Sequence, residues 1–438
     1  MSLLLFCPPK ILLQHSAAQW AETLGSDARV LTCSSQRESI ERHLAGRVVC
    51  HFFDRFNDNA AVELRALEIA RTLPGPRAVG LAEIDMLRAA RVNDRLGLTS
   101  GAEDAMRYYR DKYLMKCRAR EAGLPVAAMA VVHSAMDVRR FIDRHGWPVV
   151  VKPRDGRGSN NVIVLRDESA LDAWLDRQPS STLYNTMVEA FVVGDHYIVN
   201  GLYVRGKPVV ISPVRVMTSA LDFLGGACHD LHMLDDSNPV QQALVDYSRR
   251  LVEQVLPSEP TMLFHLEAFV DPAGRIVLCE IASRLGGVFF NQELEEAWGL
   301  DVRMAFLRAL RDPSATVSAP ERPVRRVGHI SIPPVPGLLV EAPTECPLPF
   351  VRRYKLYGQP GRAYSGMAFT NSEVVSAIVE GADEAQIRDR LQAFQRWFAD
   401  NTRWETGRHE ASGGAPTAAS AGPELRARPA GAEPIVAQ

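Results

Sequence analysis

Residues Phe264-His265-Leu266-Glu267-Ala268-Phe269-Val270-Asp271-Pro272-Ala273-Gly274-Arg275-Ile276-Val277-Leu278-Cys279-Glu280-Ile281-Ala282 read as two apolar strands joined by a turn. A tight turn at Ala273-Gly274 puts Asp271 opposite Ile276, Phe269 opposite Leu278, Glu267 opposite Glu280 and His265 opposite Ala282. Like charges facing each other across a strand pair repel, at about 0.2–1 kcal/mol where exposed. A divalent cation between them reverses the sign, because magnesium takes carboxylate and phosphate oxygens. Arg284 projects from the same face by the two-residue period. His265, Glu267, Glu280 and Arg284 thus form a candidate site, with the two glutamates as its metal ligands. The competing reading is an edge hairpin with its acids in water, which sits poorly beside apolar Leu278 and Phe269. A slip of one residue would undo the shared face.

Upstream, Pro148-Val149-Val150-Val151-Lys152 and Val162-Ile163-Val164-Leu165 flank Gly156-Arg157-Gly158-Ser159-Asn160-Asn161. This loop runs from strand to strand, whereas the familiar phosphate loops open a helix. Glycine lets backbone N–H groups approach a polyphosphate, Ser159 adds a hydroxyl, and Lys152 supplies a point charge. An ordinary hairpin with a solvated lysine fits the segment equally well when it is read alone.

Around these segments the chain changes character. The first hundred residues alternate strands at Leu3–Cys7, Arg29–Cys33, Arg47–Phe53 and Ala78–Leu81 with helical stretches, which predicts an α/β unit built on a parallel sheet. Pro8-Pro9-Lys10 follows the first strand, so a dinucleotide fingerprint is missing. A helix is expected over Ala102–Ala122, ending at Gly123-Leu124-Pro125, and then a strand-rich α+β region to about Leu285. Residues 294–311 read as helical. Residues 321–402 read as a small α+β unit, with a strand at Val327–Ile332 and a helix around Glu384–Phe398. Beyond Glu405 the composition falls to Ala, Pro, Gly and Ser, and disorder is expected of 405–438.

At 438 residues with a formal charge of −2, the chain has room for about three domains and no basic excess for nucleic acid. Seven scattered cysteines without a CxxC pair signal neither zinc nor a disulfide framework. The apolar run in Met1-SLLLFCPPK is too short for a signal peptide, and no stretch is long enough to span a membrane. The expectation is a cytoplasmic protein with small-molecule partners.

Taken in order, these motifs resemble the ATP-grasp superfamily from about Arg110 to Pro313. The preceding unit, 1–100, resembles its Rossmann-like companion domain, and 321–402 its small C-terminal domain. The resemblance implies an ATP-grasp domain of two α+β lobes over 101–313, with the lid at about 124–192. It implies ATP and Mg2+ as cofactors, with Mn2+ as a substitute. Lys112 and Lys152 would be the ATP lysines, with Gly156, Gly158 and Ser159 in the covering loop. Glu189, Ala190 and Val192 in Met187-Val-Glu189-Ala190-Phe191-Val192 would form the adenine hinge. Glu267 and Glu280 would carry magnesium, and Arg284 would stand beside the transferred phosphate. His265 would hold the second substrate or act as a base.

Two departures stand out. His196 occupies the position where a ribose-binding glutamate is common, and Ala282 the position of a third metal-binding side chain. Glu280-Ile-Ala282-Ser-Arg284 and His265-Leu-Glu267 are similar in style to the L-amino-acid (bacilysin-type dipeptide) ligases of the superfamily. The implied activity is ADP-forming ligation of a carboxylate to an amine through an acyl phosphate, in a chain that pairs as a homodimer by family habit. Two alternatives stay open: a carboxylase using bicarbonate, and a nucleotide-binding protein without catalysis.

Overall fold

The computed structural model describes residues 1–98, 101–287, 289–367 and 372–406; the side chains of 180–182 and all but the first two residues of the 405–438 tail lie outside that description. The amino-terminal strands form a parallel sheet in the order Val49–Phe53, Arg29–Cys33, Ser2–Phe6, Pro76–Gly80. Ser2–Phe6 has no polar face because helices cover both sides: Leu3 and Leu5 pack into one apolar cluster, Leu4 and Phe6 into another.

Next comes a four-stranded antiparallel sheet, Met129–Val132, Thr186–Ala190, Val149–Pro153 and Ile163–Leu165 in spatial order. Helices Ala135–His145 and Glu168–Leu175 cover it around Phe141, Leu171 and Trp174. An eight-stranded antiparallel sheet then runs Ile276–Ala282, Met262–Val270, Asp195–Val204, Lys207–Val216, His229–Met233, Arg326–Ile332, Val375–Gly381, Val351–Leu356. Its last three strands come from the segment 321–402, so that segment shares one continuous sheet with the central strands. On its last strand Arg353 Nε donates to Glu296 Oε1 at 2.6 Å.

Two expected elements are broken, each by its own chemistry. The helix expected over 102–122 divides into Ala102–Arg107 and Lys112–Glu121. Asp111 between them is extended, and its carboxylate accepts from Tyr113 N and Leu114 N at 3.0 and 3.2 Å, starting a new helix. The helical region 294–311 is likewise two helices, Phe290–Trp298 and Val302–Arg311, parted by Gly299 at φ +65°.

The hairpin also departs from its expected register. Its turn is one residue longer, because Asp271 pairs with Arg275 around Gly274 at φ +76°. Val270 therefore faces Ile276, Phe269 faces Val277, and Ala268 faces Leu278. A bulge between Glu267 and Ala268, with Cys279 as the extra residue opposite, then restores the pairing. Glu267 faces Glu280 and His265 faces Ala282.

Candidate active site

A cavity of about 790 Å³ opens between the four-stranded sheet and the hairpin end of the eight-stranded one, and every candidate residue named from the sequence borders it. On one wall the loop after Val149–Pro153 turns through Gly158, Ser159 and Asn161, all at φ near +55°. Only Gly158 takes that conformation freely, so Ser159 and Asn161 hold a local strain of the kind found at ligand-binding loops. Lys112, the first residue of its helix, donates to Gly156 O at 2.6 Å and stands 3.1 Å from Glu280 Oε2. The loop, the helix and the hairpin thus meet at one lysine.

Behind the loop, Glu189 lies between two lysines. Lys152 and Lys116 each donate to one of its oxygens. Burial opposes ionisation of Glu189, yet the two ammonium groups outweigh it and bring the carboxyl down to about 2. Burial likewise opposes the charge on Lys152, and Glu189 outweighs it, so that lysine is raised. Lys116 goes the other way: burial comes first, and repulsion from Lys152 adds to it. Sequence reading did not single out Lys116. The available signal is its position four residues after Lys112, on the same helix face.

Opposite, Glu267 and Glu280 project together as the strand pairing requires. His265 reaches Glu267 Oε1 at 3.2 Å through Nε2, and its Nδ1 is 2.9 Å from Asn200 Oδ1. That Asn200 oxygen also accepts from Gly286 N at 3.0 Å, so Nδ1 of His265 is the donor. Both ring nitrogens therefore face oxygen acceptors. Gly286 makes the seat: a Cβ there would sit 2.8 Å from the His265 ring and 2.3 Å from Phe290. His196 stacks against Phe269 at 4.9 Å, with Nε2 3.2 Å from Glu267 Oε2 but out of line for a hydrogen bond. Burial opposes the charge on Glu267, but the two imidazoles outweigh it and hold the carboxyl well below the usual range.

Arg284 is held by a residue that sequence reading missed. Its Nε donates to Glu83 Oε2 at 3.1 Å, Nη2 bonds the same oxygen, and Nη1 donates to Leu285 O at 2.7 Å. Two of its five N–H donors remain for an anion in the cavity. Glu83 follows the strand Pro76–Gly80, at the carboxyl end of the parallel sheet where such folds bind ligands. It also binds Arg110. Burial works against its charge, but Arg284, Arg110 and Lys112 bring it down to about 2 from 4.5. A carboxyl depressed in the folded state stabilises the fold above its unfolded value, and that stability is lost as pH falls from about 4.5 toward 2. Glu83→Gln is expected to cost roughly 3 kcal/mol at pH 7, a gap that narrows below about pH 4.5. Urea unfolding of both forms at pH 7 and at successive steps below pH 5 checks this; a gap independent of pH would contradict it.

The far end of the cavity is lined by Ser219 to Phe223, His229 and Phe290. His229 Nδ1 lies 2.8 Å from Thr218 O. Burial, then His329, pushes this imidazole down to about 4.

Among the described residues, no group of three or more His, Cys, Asp or Glu side chains could hold a metal ion by itself. Two facing carboxylates nevertheless fit magnesium, which takes one or two carboxylates together with substrate phosphates and keeps several waters; manganese suits the same oxygens. No described helix is long and apolar enough to cross a membrane.

No family model matches the chain. An L-arginine-specific L-amino acid ligase of Bacillus subtilis is 22% identical over 301 residues, covering 66% of this chain and 71% of that protein. The crystal structure of an L-amino acid ligase from Bacillus licheniformis superposes with a TM-score of 0.68 at 18% identity, covering 92% of this chain and 98% of the other. The biotin carboxylase domain of a Hydrogenobacter thermophilus 2-oxoglutarate carboxylase, solved with MgADP and bicarbonate, gives 0.67 at 14% identity over 92% and 90%. The parallel amino-terminal sheet, the four-stranded antiparallel lobe and the larger antiparallel sheet beside it give this chain the ATP-grasp fold of these solved structures.

Proposed function

We propose that this protein is an ATP-dependent carboxylate–amine ligase. It joins an amino acid or related small carboxylic acid to an amine through an acyl phosphate, releasing ADP and phosphate. The observation that carries the reading is Glu267 facing Glu280 in the same cavity as Lys112, Lys152 and Arg284. The likeness to an L-amino acid ligase in sequence supports the substrate class.

In this reading Lys112 and Lys152 hold the triphosphate, and the loop from Gly156 to Ser159 covers it. The Ala190 and Val192 backbones meet the adenine, and His196 meets the ribose. A carboxylate oxygen attacks the γ-phosphorus in line, and the bond to the bridging oxygen breaks. Arg284 offsets the charge spread over the transferring group, the main electrostatic task in phosphoryl transfer. Magnesium, when held by Glu267 and Glu280, supplies charge neutralisation at the phosphates. The amine nitrogen, as the free base, then attacks the acyl carbon, and phosphate leaves with its oxygen and takes up the proton lost by the nitrogen. The closed loop keeps water from the acyl phosphate. His265 acts through Glu267: with Nδ1 on Asn200 and Nε2 facing Glu267, its ring is placed to orient that carboxylate.

Phosphate release from MgATP, measured across single amino acids, amino-acid pairs and bicarbonate, tests this. Release that needs a pair, with a product of the condensed mass, is expected. Release driven by bicarbonate alone would move the assignment to a carboxylase.

A further inference from the structure

Two ammonium groups share one carboxylate in the least exposed part of the nucleotide end. Lys116, Lys152 and Glu189 are 1%, 4% and 6% exposed. Lys152 and Glu189 border the cavity, whereas Lys116 lies behind Glu189 and does not. The trio sets two lysines against one carboxylate, and Lys152 is the one of the two that borders the cavity.

From this arrangement we propose that Lys116 is a positioning residue that frees Lys152 for the nucleotide. The inference rests on the reading of Lys152 as a phosphate-binding residue. A lysine paired one-to-one with a buried glutamate can reach a phosphate only by leaving that carboxylate uncompensated, which is the costly way to break a buried ion pair. With Lys116 in place the exchange leaves nothing unpaired. Lys152 turns to the phosphate, and Glu189 keeps Lys116. Lys116 sits one helical turn from Lys112, so a single helix serves both events: Lys112 faces the loop and Glu280, and Lys116 faces the hinge strand Thr186–Ala190.

The sign of a double substitution separates this role from simple packing. Binding of a fluorescent ATP analogue with magnesium to the full chain, read at equilibrium, is the measurement. Lys116→Met is expected to weaken binding at least tenfold, because Lys152 becomes tied to Glu189. Adding Glu189→Gln is expected to recover most of that loss, because it removes the charge that ties Lys152. Glu189→Gln alone is the reference: the double variant is expected to bind within about threefold of it, a comparison that remains informative if Lys116→Met does not fold. A double variant no tighter than Lys116→Met, or one at least about tenfold weaker than Glu189→Gln alone, overturns the proposal. Lys152→Met is the separate control: unchanged binding there would instead overturn the reading of Lys152 itself, and the proposal with it.

Discussion

Glu267→Gln and Glu280→Gln are each expected to lower turnover about a thousandfold or more while the protein stays folded. Both changes preserve side-chain volume and remove a charge, so packing is not the cause. The two acids face each other across a strand pair, where like charges are unfavourable unless something positive lies between them. In this structure the compensation is local: Lys112 beside Glu280, and the two imidazoles beside Glu267. Charge neutralisation of a transferring phosphoryl group is worth several kcal/mol, and losing one of two carboxylate ligands forfeits much of it. Steady-state kinetics with melting curves and a magnesium titration check the claim. Activity near that of the unaltered chain in either variant would remove the metal assignment. A matching collapse of the melting temperature would point to folding.

Arg284→Met is expected to lower kcat by about three orders of magnitude while the KM for ATP moves less than tenfold. The guanidinium is clamped before any ligand arrives, by Glu83 on two nitrogens and Leu285 O on the third. A preset charge costs no reorganisation at the moment of transfer, so its effect belongs to the transition state. Arg284→Lys retains the charge but not the fork, so it is expected to recover only a small part of the activity. A large rise in KM with kcat preserved would assign Arg284 to substrate binding instead.

The parallel amino-terminal sheet was legible because both faces of Ser2–Phe6 are buried, leaving an unbroken apolar run, and helical spacing separates the strands. The hairpin is more instructive. Alternation reveals neither a three-residue turn nor a bulge, and each displaces the register by one residue. The two offsets cancel at Glu267 and Glu280, so the facing acids emerge from the pattern while Phe269 and Leu278 do not pair. Lys116 and Glu83 stayed hidden for a different reason. Their meaning lies in partners 73 and 201 residues away, Glu189 and Arg284, and only folding brings those together. The split at Asp111 depended on a carboxylate that caps a helix and also binds Arg154, and helical periodicity does not register such a contact.

The central claim is that a carboxylate is activated by phosphorylation, and its most direct test follows an oxygen atom. A carboxylic substrate labelled with 18O in its carboxylate is turned over with MgATP and amine, and the released phosphate is weighed. The account predicts one 18O in each phosphate, matched by one amide product, and none with Glu280→Gln. Unlabelled phosphate alongside amide product would contradict the acyl phosphate, and with it the mechanism proposed for this cavity.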